Sequence, residues 1–147
     1  MQVGLIAITK RHREVDPSLV SIRDFFQPSP LFRYSVAFCE QYYDEVFVLA
    51  KGSRKILHLD NDVSDIDFRM DDMDGREKKK WLREVSNYFR QYAHLGAEVN
   101  IFAPSWYRRL ADWLEPDYEC QFPMREMSIG KQLHFLKQSV GEITYKK

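Results

Sequence analysis

The stretch that decides the fold is SPLFRYSVAFCEQYYDEVFVLA, residues 29–50. It opens with Ser29 and Pro30, which suit the N-cap and the first position of a helix. Apolar residues then recur at helical spacing, and the chain changes to the apolar run EVFVLA at residues 45–50. A helix followed directly by a strand that is apolar on both faces is typical of a parallel sheet covered by helices.

The rest of the chain repeats this alternation. Three more apolar runs have strand length: QVGLIAI at 2–8, AEVNIFA at 97–103 and the weaker YECQF at 118–122. Three more helical patterns cover residues 74–94, 105–114 and 128–140. The predicted order is strand–helix–strand–loop–helix–strand–helix–strand–helix. We therefore predict one α/β domain over residues 1–147, a three-layer sandwich with a mainly parallel sheet of about four strands and helices on both faces. Residues 1–140 form its core, and 141–147 are a tail that frays or adds an edge.

Each helical pattern predicts a buried stripe. The first helix has two sets of residues at helical spacing: Phe32, Val36 and Cys39, and Leu31, Ser35 and Phe38. The expected stripes of the later helices are Trp81, Val85, Tyr88 and Tyr92, then Trp106, Leu110 and Trp113, and finally Ile129, Leu133, Leu136 and Val140.

Composition excludes several classes of protein. Basic and acidic residues both number 22, so binding to nucleic acid or membrane must come from a local patch rather than from net charge. No window approaches the apolar length of a transmembrane helix, and the N-terminus lacks the features of a signal peptide. Cys39 and Cys120 share no motif and are expected as buried thiols. These features predict a cytoplasmic protein with no membrane partner.

The predicted topology locates a site before any motif does. Ligands of open parallel sheets bind beyond the carboxyl ends of the strands, which here carry TKRHR, KGSRK with the aspartate loop that follows it, PSWYRR and MREMSIGKQ. Helices predicted to begin at Ser29, Ser105 and Ser128 offer free N–H groups to an anion. The expected mouth combines basic and acidic side chains: Lys10, Arg33, Lys51, Asp65 and Asp67.

The aspartate-rich segment 60–74 has three interpretations: a solvated rim, a metal site or a substrate clamp. Asp60 and Asp62 resemble the start of a calcium loop, but the glycine and final glutamate do not follow. No metal or cofactor is predicted. SIGKQ lacks the glycine and the Ser or Thr of a phosphate loop. Gln132 within it is either a core amide or a group that reads a base.

Several motifs together resemble an uncharacterised bacterial and phage family. The chain carries five stretches in this order: AITKRH, SPLFRYSVAF, LAKG, SDIDF and SIGKQL. The corresponding motifs of the family, in the same order, are C-[ST]-K-[KR]-K, S-x-L-F-R-x-A, L-S-A-K-Y-G-L, E-P-Y-D-x-x-L and G-x-G-x-Q-L. The same order is more distantly similar to the core domain of archaeosine synthase, which modifies a deazaguanine base in transfer RNA and resembles the uracil-DNA glycosylase fold. Both likenesses imply a nucleobase or nucleotide at the strand ends.

The resemblance assigns residues motif by motif. The positions that keep the family's residues are Thr9, Lys10, Ser29, Leu31, Phe32, Arg33, Ala50, Lys51, Gly52, Asp67, Gly130, Gln132 and Leu133, and Ser128 stands where a glycine is common. Ile8 replaces the family's cysteine, and Asp65 and Ile66 replace the proline and tyrosine before Asp67. If the family's chemistry uses that cysteine as a nucleophile, this chain has lost it. The departures at Ile8 and around Lys51 are compatible with a member that binds a ligand without converting it.

The leading hypothesis is a pocket for a nucleobase, nucleoside or nucleotide, free or within a nucleic acid. Lys10, Arg33 and Lys51 would hold the phosphate, Asp67 and Gln132 would read the sugar or base, and Ser29 and Ser128 would supply helix-end donors. Thr9 is a further candidate for ligand binding. In an enzyme acting on the glycosidic bond or the base, Asp67 would be the general base or electrostatic stabiliser.

Two alternatives stay open. One is a non-catalytic phage or mobile-element protein that sequesters a nucleotide signal or inhibits a host protein. The other is a protein-interaction domain whose helix 105–114 exposes Trp106, Tyr107 and Trp113.

Overall fold

The computed structural model describes residues 1–8, 20–67 and 73–143, apart from the side chain of Ser105. The elements follow in the order β1 (Gln2–Ala7), α1 (Ile22–Phe25), α2 (Pro30–Tyr42), β2 (Glu45–Leu49), a first 3-10 helix (Val63–Asp65), α3 (Gly75–Tyr92), β3 (Glu98–Phe102), a second 3-10 helix (Ser105–Arg109), α4 (Leu110–Leu114), β4 (Glu119–Gln121) and α5 (Ile129–Val140). No helix in this described part of the chain has the length and apolarity needed to cross a membrane.

The sheet contains four parallel strands in the order β2-β1-β3-β4. Leu5 of β1 pairs with Phe47 of β2 on one side and with Ile101 of β3 on the other, and all three side chains face one core. The next residue, Ile6, faces the opposite core, because successive strand residues point to opposite faces. Both faces are apolar, so the predicted three-layer α/β architecture is confirmed.

The helices divide between these two cores. α1, α2 and α5 pack on the face of Ile6, whereas α3 and α4 pack on the face of Leu5. The chain runs from β1 to β2 through α2 and then returns past β1 to β3 through α3, on the opposite face. This reversal places the topological switch point between the carboxyl ends of β1 and β3, where ligands of such sheets bind.

The predicted helix starts are correct at two of three serines. Ser29 Oγ accepts a hydrogen bond from the backbone N–H of Phe32 (3.3 Å), and Ser128 Oγ accepts one from Lys131 (3.3 Å). The third start is wrong: the chain after β3 first forms the second 3-10 helix, with Pro104 at its N-cap, and α4 begins only at Leu110.

Three of the predicted buried stripes need correction. On α3, Trp81 and Val85 are buried, but Phe89 continues the stripe and Tyr92 is 53% exposed. On α5, Leu136 is fully buried whereas Ile129 is 65% exposed.

In the 105–114 region, Leu110 is buried as predicted, but the aromatic residues are buried to a different extent than expected. Tyr107 is only 1% exposed, while Trp106 and Trp113 are half-buried. The predicted aromatic surface that included Tyr107 is therefore wrong.

The aspartates of the 60–74 segment have separate local roles where they are described. Asp62 caps the first 3-10 helix by accepting from Ser64 N–H (2.9 Å), and Asp74 caps α3 by accepting from Glu77 N–H (2.8 Å). Asp60 is exposed. Asp71 and Asp72 lie outside the described residues. The described members thus serve mainly as helix caps and rim residues.

Gly4 allows α2 to approach β1 closely. A Cβ at this position would lie 2.8 Å from Cys39 Sγ and 3.0 Å from Tyr43 Cδ2. We expect Gly4→Ala to lower the free energy of unfolding by about 2 kcal/mol through overpacking, measured by urea denaturation. Because the shortest contact is to the sulfur, adding Cys39→Ala should recover part of the loss; strictly additive effects of the two changes would contradict this explanation.

Candidate functional site

A cavity of about 260 Å³ lies at the switch point, between the carboxyl ends of β1 and β3. Its walls come from these strand ends, the first turns of α2 and α5, the second 3-10 helix and the β4–α5 connection. The residues that line it are Ile6, Ala7, Ile8, Phe26, Ser29, Leu31, Phe32, Ser35, Ile101, Phe102, Ala103, Pro104, Arg108, Phe122, Met124, Arg125, Ile129 and Gln132. Most are apolar or aromatic, and the few polar groups are spread around the wall.

Two helix N-termini reach this cavity. Leu31 and Phe32 line it from the first turn of α2, and Ile129 and Gln132 line it from the first turn of α5. The first turn of neither helix contains an acidic residue. The partial positive charge of both helix ends is therefore not offset by a carboxylate of their own first turns, which favours an anion at this place.

Two arginines add full positive charge. Arg108, on the second 3-10 helix, is half-buried, and Arg125, on the β4–α5 connection, is exposed, with its guanidinium carbon 5.9 Å from the centre of the Phe122 ring. Among the residues described, no aspartate or glutamate lines the cavity. The described wall is therefore positively charged, as well as largely apolar.

Besides Ser29, the uncharged polar residues Gln132 and Ser35 also line the cavity. Gln132 donates from Nε2 to the carbonyl oxygen of Met127 (2.9 Å), which fixes the amide and leaves its carbonyl oxygen as an acceptor. Ser35 is only 2% exposed. It lines the cavity, where its hydroxyl group can donate or accept a hydrogen bond.

The structure brings only some of the predicted site residues to this cavity. Ser29 and Gln132 line it, and Ser128 immediately precedes Ile129 on its rim. Arg33 points elsewhere: its Nη1 donates to the Gln27 carbonyl oxygen (2.7 Å), and it lines a separate, shallower depression. Thr9 and Lys10 lie outside the described residues.

Lys51 and Asp67 lie together at the end of β2 rather than in the cavity wall. The Asp67 backbone N–H donates to the carbonyl oxygen of Gly52 (3.0 Å), and the Asp67 side chain is half-buried. Lys51 extends over Trp106, with Nζ 5.6 Å from the ring centre. Neither residue lines the cavity.

Three polar residues of the cavity were not among those predicted. Arg108 and Arg125 belong to PSWYRR and MREMSIGKQ, two stretches that the topology rule had already placed at the strand ends. Their region was therefore predicted, although these two arginines were not singled out as site residues. Ser35 was interpreted only as part of a helical stripe. The helical spacing of Ser35 does not show whether its hydroxyl group faces a cavity or packs in the core.

The two cysteines are unsuited to nucleophilic chemistry. Burial, together with the nearby Glu40 carboxylate, raises the pKa of the Cys39 thiol well above its ordinary value. Burial and the carboxylates of Glu115 and Asp112 raise the pKa of Cys120 to about 12. Both thiols are protonated at neutral pH, and neither lines the cavity. In the parts of the chain that are described, no three His, Cys, Asp or Glu side chains are placed to hold a metal ion.

Comparison with known proteins gives a family but no activity. The model of a family described as "Family of unknown function (DUF6884)" matches residues 3–138. No curated protein and no solved structure matches the chain. Because the match covers nearly the whole sequence, the chain belongs to this family.

Proposed function

We propose that this member of the DUF6884 family binds a nucleotide in the cavity between the ends of β1 and β3. The observation that carries the proposal is the composition of the wall at the switch point: two arginines and two helix N-termini beside an apolar, phenylalanine-rich surface, with no carboxylate among the described lining residues. Such a wall suits a ligand with an anionic end and a flat apolar end.

The anionic end would be a phosphate. Arginine binds phosphate through its planar set of donors, and helix N-termini bind it through backbone N–H groups. The described part of the wall is positively charged and carries no carboxylate, so it disfavours a metal ion or an amine there.

The flat end would be a nucleobase. Four phenylalanines line the cavity, namely Phe26, Phe32, Phe102 and Phe122. Gln132 offers an amide oxygen to a base N–H, and Ser35 offers a hydroxyl. A volume of about 260 Å³ lies near the lower limit of ligand pockets, roughly 300 Å³, which suits a mononucleotide better than a dinucleotide. The sequence resemblance to the core domain of archaeosine synthase supports the same class of ligand.

Binding without turnover fits this wall better than catalysis. The residues described there include no carboxylate, imidazole or thiol to act as a general base or nucleophile, and Ile8 lines the cavity where the resembling family has its cysteine. The catalytic alternative, cleavage or modification at the base with Asp67 as general base, requires a residue that lies outside the described wall. A protein that sequesters a nucleotide signal is therefore the version that we favour.

A thermal-shift screen of bases, nucleosides and mono- and cyclic nucleotides tests the proposal. A ligand at ten times its Kd stabilises the folded state by about 1.4 kcal/mol, which raises the Tm of a domain of this size by roughly 3–5 °C. We expect nucleotides to shift the Tm more than their nucleosides, because only the nucleotides carry the phosphate.

The recovered ligand separates binding from catalysis. Chromatography of the ligand after prolonged incubation should return it unchanged; a released base would favour the catalytic alternative, and Asp67→Asn would then be expected to abolish its release. The absence of any shift across the screen would contradict the nucleotide proposal.

A further inference from the structure

Two lysines converge on one tryptophan beside the cavity. Lys51 Nζ lies 5.6 Å from the centre of the Trp106 ring, and Lys78 Nζ lies 5.4 Å from the same point. Tyr107 stacks on this indole with ring centres 4.1 Å apart, which leaves one face for the ammonium groups. The two charges are thus held no more than 11 Å apart. We refer to Lys51, Lys78 and Trp106 as the lysine–tryptophan cluster.

Among the described residues, no carboxylate is paired with the two lysines of this cluster. Each contact with the aromatic face stabilises its ammonium group by about 0.5–1 kcal/mol at exposed sites. An anion bound between the two ammonium groups would interact favourably with both charges.

The backbone holds this cluster in place. Trp81 Nε1 donates to the carbonyl oxygens of Ala50 (3.1 Å) and Ser53 (2.8 Å), which fixes the turn that carries Lys51. Lys78 lies in the first turns of α3, anchored by the Asp74 cap. Trp106 belongs to the same five-residue 3-10 helix as the cavity residue Arg108. The cluster and the cavity are therefore direct neighbours at the carboxyl edge of the sheet.

The surface around the cluster is basic although the whole chain is neutral. Residues 51–55 contain three basic residues and no acidic one, and residues 74–84 contain five basic residues and three acidic ones. One of the basic residues, Arg54, is paired with Glu84, and the two segments together still carry an excess of positive charge. Most of these side chains are exposed. An extended basic surface suits a polymer of phosphates better than a single small anion.

We propose that the lysine–tryptophan cluster binds the phosphate backbone of a single-stranded nucleic acid, one nucleotide of which occupies the cavity. This inference rests on the proposed function and specifies its ligand as part of a strand. A single strand is preferred over a duplex because a base can enter a closed cavity only when it is unstacked and unpaired.

The test compares strand binding with mononucleotide binding. Fluorescently labelled dodecamers of thymidine and of uridine are titrated with the protein, with fluorescence anisotropy as the readout, at salt concentrations from about 50 to 300 mM. We expect a strand to bind at least about tenfold more tightly than the best mononucleotide of the screen. The thymidine and uridine arms distinguish DNA from RNA.

Lys51→Gln combined with Lys78→Gln removes the two charges while keeping the apolar part of each side chain over Trp106. We expect strand binding to weaken about tenfold. We also expect the slope of log Kd against log salt concentration to fall by about 1.4, because each of the two lost single-strand phosphate contacts contributes about 0.7 to this slope. Mononucleotide affinity should stay within twofold. Lys137→Gln is the matched control, because Lys137 also lies over an aromatic ring, Tyr34, but on the opposite face of the sheet.

The outcomes separate this inference from the proposed function. Mononucleotide binding with no gain from a strand, or strand binding that the double substitution leaves unchanged, overturns the inference and leaves the cavity proposal in place. Lysine-dependent strand binding without any mononucleotide binding overturns the cavity proposal and supports the lysine–tryptophan cluster as a phosphate site.

Discussion

Replacing Gly52 by alanine is expected to lower the free energy of unfolding by about 3 kcal/mol. A Cβ at this position would lie 2.1 Å from the carbonyl oxygen of Asp67, 2.6 Å from its carbonyl carbon and 2.8 Å from its backbone nitrogen. All three are main-chain atoms, so no side-chain rotation relieves the clash. The Asp67 backbone has to move away from the turn after β2.

That movement would disturb more than one contact. The Gly52 carbonyl oxygen accepts a hydrogen bond from the Asp67 N–H. Val63 and Ile66, which precede Asp67 in the chain, are buried in the core. Because Lys51 precedes Gly52, the substitution should also disturb the lysine–tryptophan cluster. Loss of stability and weaker strand binding are therefore expected together.

Gly75→Ala is the matched control for this prediction. A Cβ at Gly75 would meet nothing within 4 Å, and Gly75 is the first residue of α3, where alanine is favoured over glycine by up to about 1 kcal/mol. Urea denaturation of both variants should show a large loss for Gly52→Ala and none for Gly75→Ala. Equal midpoints would mean that the turn adjusts to the added methyl group.

The contact between Gly52 and Asp67 gives a physical meaning to two motifs that the sequence presents separately. The resemblance selected Ala50–Gly52 and Asp67 as parts of different motifs, 15 positions apart from Gly52 to Asp67. In the structure their backbones touch, and the Gly52 position leaves no room for a side chain. At least part of this pattern therefore reflects packing, and it does not by itself make Asp67 a functional residue.

The strands and their order were the most predictable features of the fold. All four apolar runs form strands, each within one residue of the predicted ends, because a strand buried on both faces has a continuous apolar sequence. Helix starts were predictable where a serine caps the first turn, as at Ser29 and Ser128. At Ser105 the same residue type opens a 3-10 helix, and sequence alone does not distinguish the two.

The buried faces were less predictable than the elements. On α3, large residues form two adjacent stripes, and the stripe that contains Phe89, rather than Tyr92, packs against the sheet. Periodicity alone does not decide between these two stripes. Ile129 belongs to an apolar stripe but lies at the cavity rim. Burial at these positions depends on how each helix packs against its neighbours. The sequence of a single helix does not contain that information.

The location of the candidate site followed from topology, whereas its residues did not. The strand-end rule identified the correct edge of the sheet, but that edge presents several basic residues. Arg33 was favoured because it belongs to a motif, yet it turns to the Gln27 carbonyl group. Arg108, which belongs to no motif, lines the cavity. The direction of a long side chain depends on its local partners, and those were visible only in the structure.

Replacing both cavity arginines, Arg108→Gln with Arg125→Gln, is expected to weaken nucleotide binding about 100-fold. A hydrogen bond to a charged group contributes about 1.5–3 kcal/mol. We take the lower value for each arginine because Arg125 is exposed, and a total of about 3 kcal/mol corresponds to roughly 100-fold in Kd. Isothermal titration calorimetry with the strongest nucleotide of the screen measures the change.

The design of this experiment separates phosphate binding from damage to the pocket. The affinity for the corresponding nucleoside, which lacks the phosphate, should stay within about threefold, because the arginines are assigned to the phosphate alone. Arg109→Gln is the matched control: Arg109 is adjacent to Arg108 on the same 3-10 helix, is exposed and does not line the cavity. The proposal would be contradicted if the double substitution weakened nucleoside and nucleotide binding equally. It would also be contradicted if Arg109→Gln weakened nucleotide binding as much as the double substitution does. Either result would mean that Arg108 and Arg125 do not hold a phosphate at this site.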